Sequence, residues 1–285
     1  MFKGLSPGAI GVRVDTLADS LTAAKIGGFE GVEFDAYEIA GLIEKDGAET
    51  VRARFAEAGI RPAGSGLPVD WRGSQESWQA GLKELPRLAQ AAGAIGGGRI
   101  STWIMPCSDD LTYEENYQFH VDRFAPIAKI LADHGVSLGL EFIGPKTLWA
   151  SQKHPFIHTM EDMLAMGREI GPNVGLLLDC WHWYTSHSTV EALEDLKPEQ
   201  VVYVHVNDGP AGVPIDEQRD GVRGLPGETG VVNIAGFLQA LKSIGYDGPV
   251  TPEPFKKELA DLPSDEARLK TVGASMDKIW QQAGL

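Results

Sequence analysis

In the stretch VGLLLDCWHWY (residues 174–184), a fully apolar run ends at the carboxylate of Asp179. The stretch continues at once with an imidazole and two large aromatic side chains. The three leucines belong in a protein core, and an unpaired buried carboxylate costs several kcal/mol. Asp179 must therefore be exposed, hydrogen-bonded or bound to a cation. The remaining sequence is needed to choose among these three possibilities.

Similar short β-rich runs recur along the whole chain, with apolar residues at helical spacing between them. No low-complexity linker separates them. This alternation predicts a (β/α)₈ TIM barrel, folded as a single domain over residues 1–285. The predicted strands are residues 9–14, 31–35, 61–66, 98–103, 137–142, 174–179, 201–206 and 249–254.

A doubly wound open sheet is the rival architecture. Such sheets usually contain fewer strands, and the nucleotide-binding examples carry G-x-G-x-x-G after the first strand. Here the first predicted strand continues as IGVRVDTLADS (residues 10–20), without that fingerprint. The barrel is therefore the favoured fold.

The charge composition of the chain indicates which classes of binding partner are not expected. The 285 residues include 40 acidic and 25 basic side chains, giving a net charge of −15 without a Lys/Arg-rich run. This excludes nucleic acid and an anionic membrane as main partners. Two cysteines, Cys107 and Cys180, and an N-terminal stretch without an apolar signal-like segment predict a cytoplasmic location.

Polar residues lie at the ends of the last four predicted strands: Glu141, Asp179, His205 and Glu253. Taken singly, Asp179 can cap a helix and Glu253 can pair with Lys256 or Lys257. In a barrel, however, these strand ends meet at one face, where three carboxylates would repel each other unless a cation lay between them. Two Glu, one Asp and one His suit one divalent ion, foremost Mn²⁺, with Mg²⁺, Co²⁺ or Zn²⁺ as alternatives.

Five motifs of the chain resemble those of a known protein family. GLEF with Glu141, LDCWH with Asp179, VHVND with His205, RGLPGETG with Arg223 and GYDGPVTPEPF with Glu253 resemble the xylose-isomerase-like TIM-barrel family of sugar isomerases and epimerases. The resemblance covers essentially the whole chain.

The resemblance implies that the four strand-end residues are the metal ligands, and that Glu141 and Glu253 also form the acid/base pair. It further implies that His182 and Arg223 contact substrate oxygens. The implied function is a metal-dependent isomerase or epimerase of a sugar or sugar-derived keto compound. Such an enzyme moves a proton next to a carbonyl through an enediolate.

One segment departs from the ketose 3-epimerase branch, which resembles E-x-x-N-R-x-E after the first glutamate. This chain reads EFIGPKT at residues 141–147. Epimerisation of a free ketohexose is therefore not expected. We assign Lys146 to substrate binding, with a solvated loop lysine as the alternative.

Aromatic residues and a long loop complete the predicted face. Trp103 and Trp181 are candidate substrate-binding walls, because aromatic faces pack against sugar C–H groups. The Gly- and Pro-rich stretch 207–230 is long enough to be a lid. Five tryptophans lie just past predicted strand ends: Trp71, Trp103, Trp149, Trp181 and Trp183.

Two alternative functions use the same fold. A lyase on the same metal site, either an inosose-type dehydratase or a 3-oxo-glycoside deglycosidase subunit, begins with the same proton abstraction. A DNA-directed endonuclease IV type would need histidines on the third and fourth strands, where the chain has GSGLP and STWIMP. The expected partner is a small sugar or polyol-derived substrate, in a homo-oligomer or with a second subunit if the protein is a deglycosidase.

Overall fold

A computed structural model describes all 285 residues and shows a (β/α)₈ barrel, as the sequence predicts. The third strand is split into two short segments. The barrel strands are β1 (Phe2–Leu5), β2 (Gly31–Val32), β3 (Arg61–Pro62 and Ser65–Gly66), β4 (Arg99–Trp103), β5 (Ser137–Glu141), β6 (Val174–Asp179), β7 (Val201–Val206) and β8 (Pro249–Pro252). Two further short strands, Cys107–Ser108 and His154–Pro155, form a separate antiparallel pair.

Eleven α-helices surround or cap the barrel. They are α1 (Leu17–Gly27), α2 (Ala36–Asp46), α3 (Ala48–Ala58), α4 (Gln75–Ala94), α5 (Tyr113–Ala132), α6 (Lys146–Trp149), α7 (Met160–Ile170), α8 (Cys180–Thr185), α9 (Val190–Glu194), α10 (Ile234–Ser243) and α11 (Asp265–Ala283). Local sequence fixes their ends: Thr16 and Asp19 form a capping box on α1, and Gly28 ends it in the left-handed conformation. No helix is both long and apolar enough to cross a lipid bilayer.

The split third strand closes the barrel. Its first segment pairs with β2 and its second with β4, so the sheet's two edges belong to one continuous piece of chain. The link passes through Gly64, where a Cβ would lie 2.9 Å from the Arg99 carbonyl oxygen and 2.9 Å from the Tyr203 ring. Only glycine fits this close approach.

Alternation along the strands separates two apolar layers. Outward-facing strand residues such as Leu138, Leu178 and Val204 pack with the helices in one large core cluster. Inward-facing residues form a second, small cluster inside the barrel. Above that cluster the inward positions become polar, which places the functional groups at the carboxyl ends of the strands. The small cluster contains Phe2, Ala63, Leu177 and Tyr203.

The first predicted strand, residues 9–14, is wrong. The true β1 lies earlier, at Phe2–Leu5, and Gly8–Ile10 forms a 3₁₀ turn that ends at Gly11 with φ 71°. Ile10 and Val12 are buried, but they pack in the outer core without joining the sheet. Their alternation reflects burial beside helices, and the left-handed Gly11 breaks any extended run.

Candidate functional site

Four side chains converge at the carboxyl ends of neighbouring strands. Glu141 ends β5, Asp179 ends β6, His205 is the penultimate residue of β7, and Glu253 follows β8. His205 is level with Asp179 in the sheet register. Each residue offers one ligand atom such that all four atoms lie within 4.8 Å of one another. This group can hold a metal ion.

Two ligand-type atoms of this cluster have no hydrogen-bond partner. Oε1 of Glu141 and Nδ1 of His205 are buried and make no hydrogen bond. His205 Nδ1 lies 3.6 Å from Glu141 Oε1 and 3.4 Å from Glu253 Oε2. Buried polar atoms are rarely left unpaired, because each costs its desolvation energy. An ion between these atoms would satisfy both, so the residues fit a metal.

The electrostatics of the cluster support the same conclusion. Burial raises the pKa of the Glu141 carboxyl to about 7, His205 lowers it in part, and the carboxylate of Glu253 adds to the rise. A buried carboxyl whose pKa stays raised beside this imidazole has too little positive charge around it to be fully ionised at neutral pH. The donor set, three carboxylates and one imidazole without a thiolate, is one that hard or borderline divalent ions accept.

Asp179 is completely buried and held from several sides. Its Oδ1 accepts from the backbone N–H of Trp181 at 2.8 Å and from Nδ2 of Asn207 at 2.9 Å. Its Oδ2 accepts from Nη1 of Arg223 at 2.7 Å. The carboxylate at the end of the apolar run is thus hydrogen-bonded and ion-paired, while it also belongs to the metal-capable group.

Arg223 reaches the cluster from the loop between β7 and α10. Its Nη1 donates to Asp179 and, at 3.0 Å, to Oε2 of Glu253, while its Nη2 donates to Oδ1 of Asp220 at 2.6 Å. Burial lowers the pKa of the guanidinium, but these carboxylates outweigh it and raise the pKa overall. Arg223 is a fixed cation at the edge of the site.

His182 adjoins Arg223 and is also buried. Its Nδ1 accepts from the backbone N–H of Gly144 at 3.2 Å. Burial, followed by the charge of Arg223, lowers the pKa of His182 well below its usual value. An N–H of Arg223 Nη2 points at His182 Nε2 at 3.2 Å, so the ring and the guanidinium are in direct contact.

The two predicted aromatic walls lie in different surroundings. Trp103 is 45% exposed and pairs in register with Glu141, and its ring stacks on the Arg72 guanidinium at 4.0 Å. Trp181 is fully buried, with its ring against Gly209. The structure therefore brings Trp103 to the open rim and leaves Trp181 covered. Among the other tryptophans at strand ends, Trp71 and Trp183 are buried as well.

Lys146 forms an ion pair with the loop after β7 and none with the four strand-end residues. Its Nζ pairs with Oδ2 of Asp216 at 2.9 Å, and the neighbouring Thr147 hydroxyl donates to the Gln218 carbonyl at 2.6 Å. Both contacts join the start of α6 to the loop after β7. The structure thus occupies the Lys146 ammonium with a protein carboxylate, in place of the expected free position facing a substrate.

Hydrogen bonds hold the loop after β7 in place, whereas its length predicts a mobile lid. The buried Asp208 carboxylate accepts from the backbone N–H groups of Gly209, Thr229, Gly230 and Val232. Asp208 also exchanges two backbone hydrogen bonds with Gly224. The loop is therefore a platform that carries Arg223.

Sequence reasoning missed three residues that hold the site together: Asn207, Asp208 and Asp220. The available signal was the polar pair Asn207–Asp208 directly after the His205 strand. Asn207 orients Asp179, Asp208 closes the loop, and Asp220 holds Arg223.

Comparisons with known proteins add a family and a fold. A sequence profile of the xylose isomerase-like TIM barrel matches residues 21–278. An inosose isomerase from Halalkalibacterium halodurans is 32% identical over 155 residues, or 53% of this chain and 51% of the relative. The chain therefore aligns with about half the length of that relative.

Solved structures match over the full length. A xylose isomerase domain protein from Alicyclobacillus acidocaldarius superposes with a TM-score of 0.84 at 28% identity, covering 99% of both chains. A protein named IOLI, solved with a bound zinc atom, gives a TM-score of 0.77 at 20% identity, again covering 99% of both. The second shares the fold.

Proposed function

This chain belongs to the xylose isomerase-like TIM-barrel family, and on that premise we propose that it is a divalent-metal-dependent sugar isomerase or epimerase. The substrate is a sugar or a sugar-derived keto compound, and the reaction transfers a proton at a carbon next to a carbonyl. The similarity to an inosose isomerase favours a polyhydroxylated ketone.

One observation carries this proposal: the unpaired, buried Glu141 Oε1 and His205 Nδ1 face the same space as Glu253. We assign Glu141, Asp179, His205 and Glu253 as the ligands of one divalent ion. When bound, the ion would polarise the substrate carbonyl and stabilise the negative charge that develops on its oxygen.

The ion itself is part of the proposal. Three carboxylates and one imidazole suit Mn²⁺ first, and Mg²⁺ or Co²⁺ would satisfy the same donors. The zinc in the IOLI structure makes Zn²⁺ the other ion to test.

The protein's own residues perform the proton transfer. Glu141 and Glu253 come from β5 and from the end of β8, with the other two ligands on the strands between them. One glutamate removes the proton beside the carbonyl, and the other returns it from the other side of the substrate. Positioned acid/base groups of this kind contribute roughly 10²- to 10⁴-fold to a rate.

Two further side chains stabilise the enediolate. Arg223 and His182 are in direct contact at the edge of the site, with Nη2 of Arg223 3.2 Å from His182 Nε2. An oxyanion beside this pair would be stabilised by the fixed positive charge of the guanidinium in a buried site, where such interactions are strongest. Trp103 supplies an exposed ring on the Glu141 side for packing against C–H groups.

The test is isotope exchange in D₂O with the wild-type protein loaded with Mn²⁺. Ketoses, inososes and 3-oxo-glucosides are incubated separately and followed by NMR. We expect deuterium at the carbon next to the carbonyl of at least one substrate, and a product isomeric with it. Loss of water or of a glycosidic group would instead establish the lyase alternative, and absence of exchange with bound metal would refute the proposal.

A further inference from the structure

Glu33 is a carboxylate at the barrel mouth that the proposed chemistry does not use. It directly follows β2. Two residues earlier, Gly31 faces the barrel interior, since a Cβ there would lie 2.3 Å from the Phe2 ring of the interior cluster. Strand residues two apart share a face, so Glu33 also points inward.

The sheet register sets the height of Glu33 in the barrel. Leu5 of β1 is level with Val32 of β2, and Glu33 continues this ladder by donating its N–H to the Leu5 carbonyl at 2.9 Å. Lys3 is level with Val250 of β8, which places Glu253 at the same height by the same count. Glu33 thus belongs to the polar layer of the proposed ligands. In the ring of eight strands, β2 lies opposite β6, the strand of Asp179.

The surroundings of Glu33 are polar but contain no cation of its own. Burial raises the pKa of its carboxyl. The Ser6 hydroxyl, His205 and the Tyr203 phenol lower this pKa in part, and the carboxylate of Glu253 raises it further. Glu33 takes part in none of the ion pairs of the rim. It also lies outside the group of four metal-capable residues. A carboxylate can accept about four hydrogen bonds, so acceptor positions beyond those that Ser6 and Tyr203 use are available to a molecule in the barrel mouth.

We infer that Glu33, supported by Ser6 and Tyr203, binds a hydroxyl group of the substrate on the side of the cleft opposite Asp179. This inference rests on the proposed function and narrows its substrate class. The substrate carries a hydroxyl remote from the reacting carbonyl, as a polyhydroxylated ring does. A carboxylate without a cation partner accepts hydrogen bonds from one hydroxyl or from two adjacent ones, and an analogue lacking that hydroxyl leaves the carboxylate unpaired.

The experiment measures binding of cyclic polyols to the metal-loaded protein by calorimetry. The probes are myo-inositol and its singly deoxygenated analogues. We expect the wild type to bind one deoxy analogue roughly tenfold or more weakly than myo-inositol, the scale of a hydrogen bond to a charged group. The Glu33→Gln variant should bind myo-inositol more weakly than the wild type does, by a similar factor. It should bind the deoxy analogue and myo-inositol with equal affinity. Metal content should be unchanged.

A matched control is Glu30→Gln at the other end of β2. Glu30 is exposed and accepts from the Lys3 backbone N–H, so its loss should leave polyol binding unaffected. Thermal unfolding of each variant shows whether it is folded. Should Glu33→Gln fail to fold, Ser6→Ala replaces it as the test, because loss of the supporting hydroxyl should weaken binding of the same hydroxyl group.

The outcomes separate this inference from the proposed function. If the wild type binds polyols and the Glu33 or Ser6 variant binds them equally well with the same ranking of analogues, the Glu33 assignment is wrong and the proposed function stands. If the wild type binds no polyol and exchanges no substrate deuterium, both the proposed function and the Glu33 subsite are overturned.

Discussion

Nδ1 of His205 and Oε1 of Glu141 face each other at 3.6 Å in the barrel mouth, and neither atom makes a hydrogen bond. Each unpaired buried group costs about 1–3 kcal/mol. The fold maintains this arrangement, while Arg223 forms ion pairs with Asp179, Glu253 and Asp220 and none with Glu141. A divalent ion between these two atoms would remove this cost, which is the basis of the proposed metal site.

The raised pKa of Glu141 predicts pH-dependent metal binding. Because this pKa is about 7 in the metal-free protein, the carboxyl is increasingly protonated as the pH falls below 7, and the proton competes with the ion. Apparent metal affinity should therefore decrease from pH 8 to pH 6. Calorimetric titration in buffers of different ionisation enthalpy should show proton release near pH 7. Constant affinity without proton release over this range would contradict the assignment of Glu141 as a ligand.

Arg223→Lys should retain the metal and lose turnover by roughly 10²-fold, the scale for removing one oxyanion donor. A lysine ammonium cannot reproduce the separate Nη1 and Nη2 contacts to Asp179 and Asp220. Steady-state kinetics with metal analysis checks this. Arg219→Lys, an exposed change in the same loop, is the control. Wild-type turnover in Arg223→Lys would leave Arg223 with a structural role only.

Glu141→Gln and Glu253→Gln should each reduce net turnover by roughly 10²-fold or more. Glutamine keeps the size and an oxygen for the ion but removes the base. In D₂O, one variant should still exchange the proton on the face that the remaining glutamate serves. The exposed Glu199→Gln serves as the control. Normal turnover in both variants with metal bound would exclude the two-base mechanism and favour a lyase with another base.

Asp208→Ala should lower the free energy of unfolding by about 3 kcal/mol, because buried backbone N–H groups would lose their acceptor. Chemical denaturation measures this, and limited proteolysis should show cleavage within residues 207–232. Asp216→Ala removes only exposed contacts of the same loop and should change stability little. Equal stability of the two variants would show that Asp208 does not fasten the loop.

The fold could be predicted because its signals are local. Seven of the eight predicted strands lie where the sequence predicts them, and their polar ends mark one face of the barrel. The first strand was misplaced, since Ile10 and Val12 alternate like a strand while packing in the outer core. Alternation records which side chains are buried and does not record what buries them.

The site was predicted in part for a related reason. Strand ends fix where Asp179 and His205 lie, so their convergence followed from the sequence. The burial of Trp181 did not follow, because it depends on the loop path that brings Gly209 onto its ring. The same path places Asp216 against Lys146, and no local pattern encodes it.

The most direct test of the account is metal analysis of the wild type and His205→Ala after loading with Mn²⁺ or Zn²⁺ and removal of excess ion. His134→Ala, at the opposite end of the barrel, is the matched control, and circular dichroism verifies folding. We predict about one ion per chain in the wild type and the control. His205→Ala should show a sharply lower content with the barrel intact. Full occupancy in folded His205→Ala would contradict the metal site, and with it the proposed mechanism.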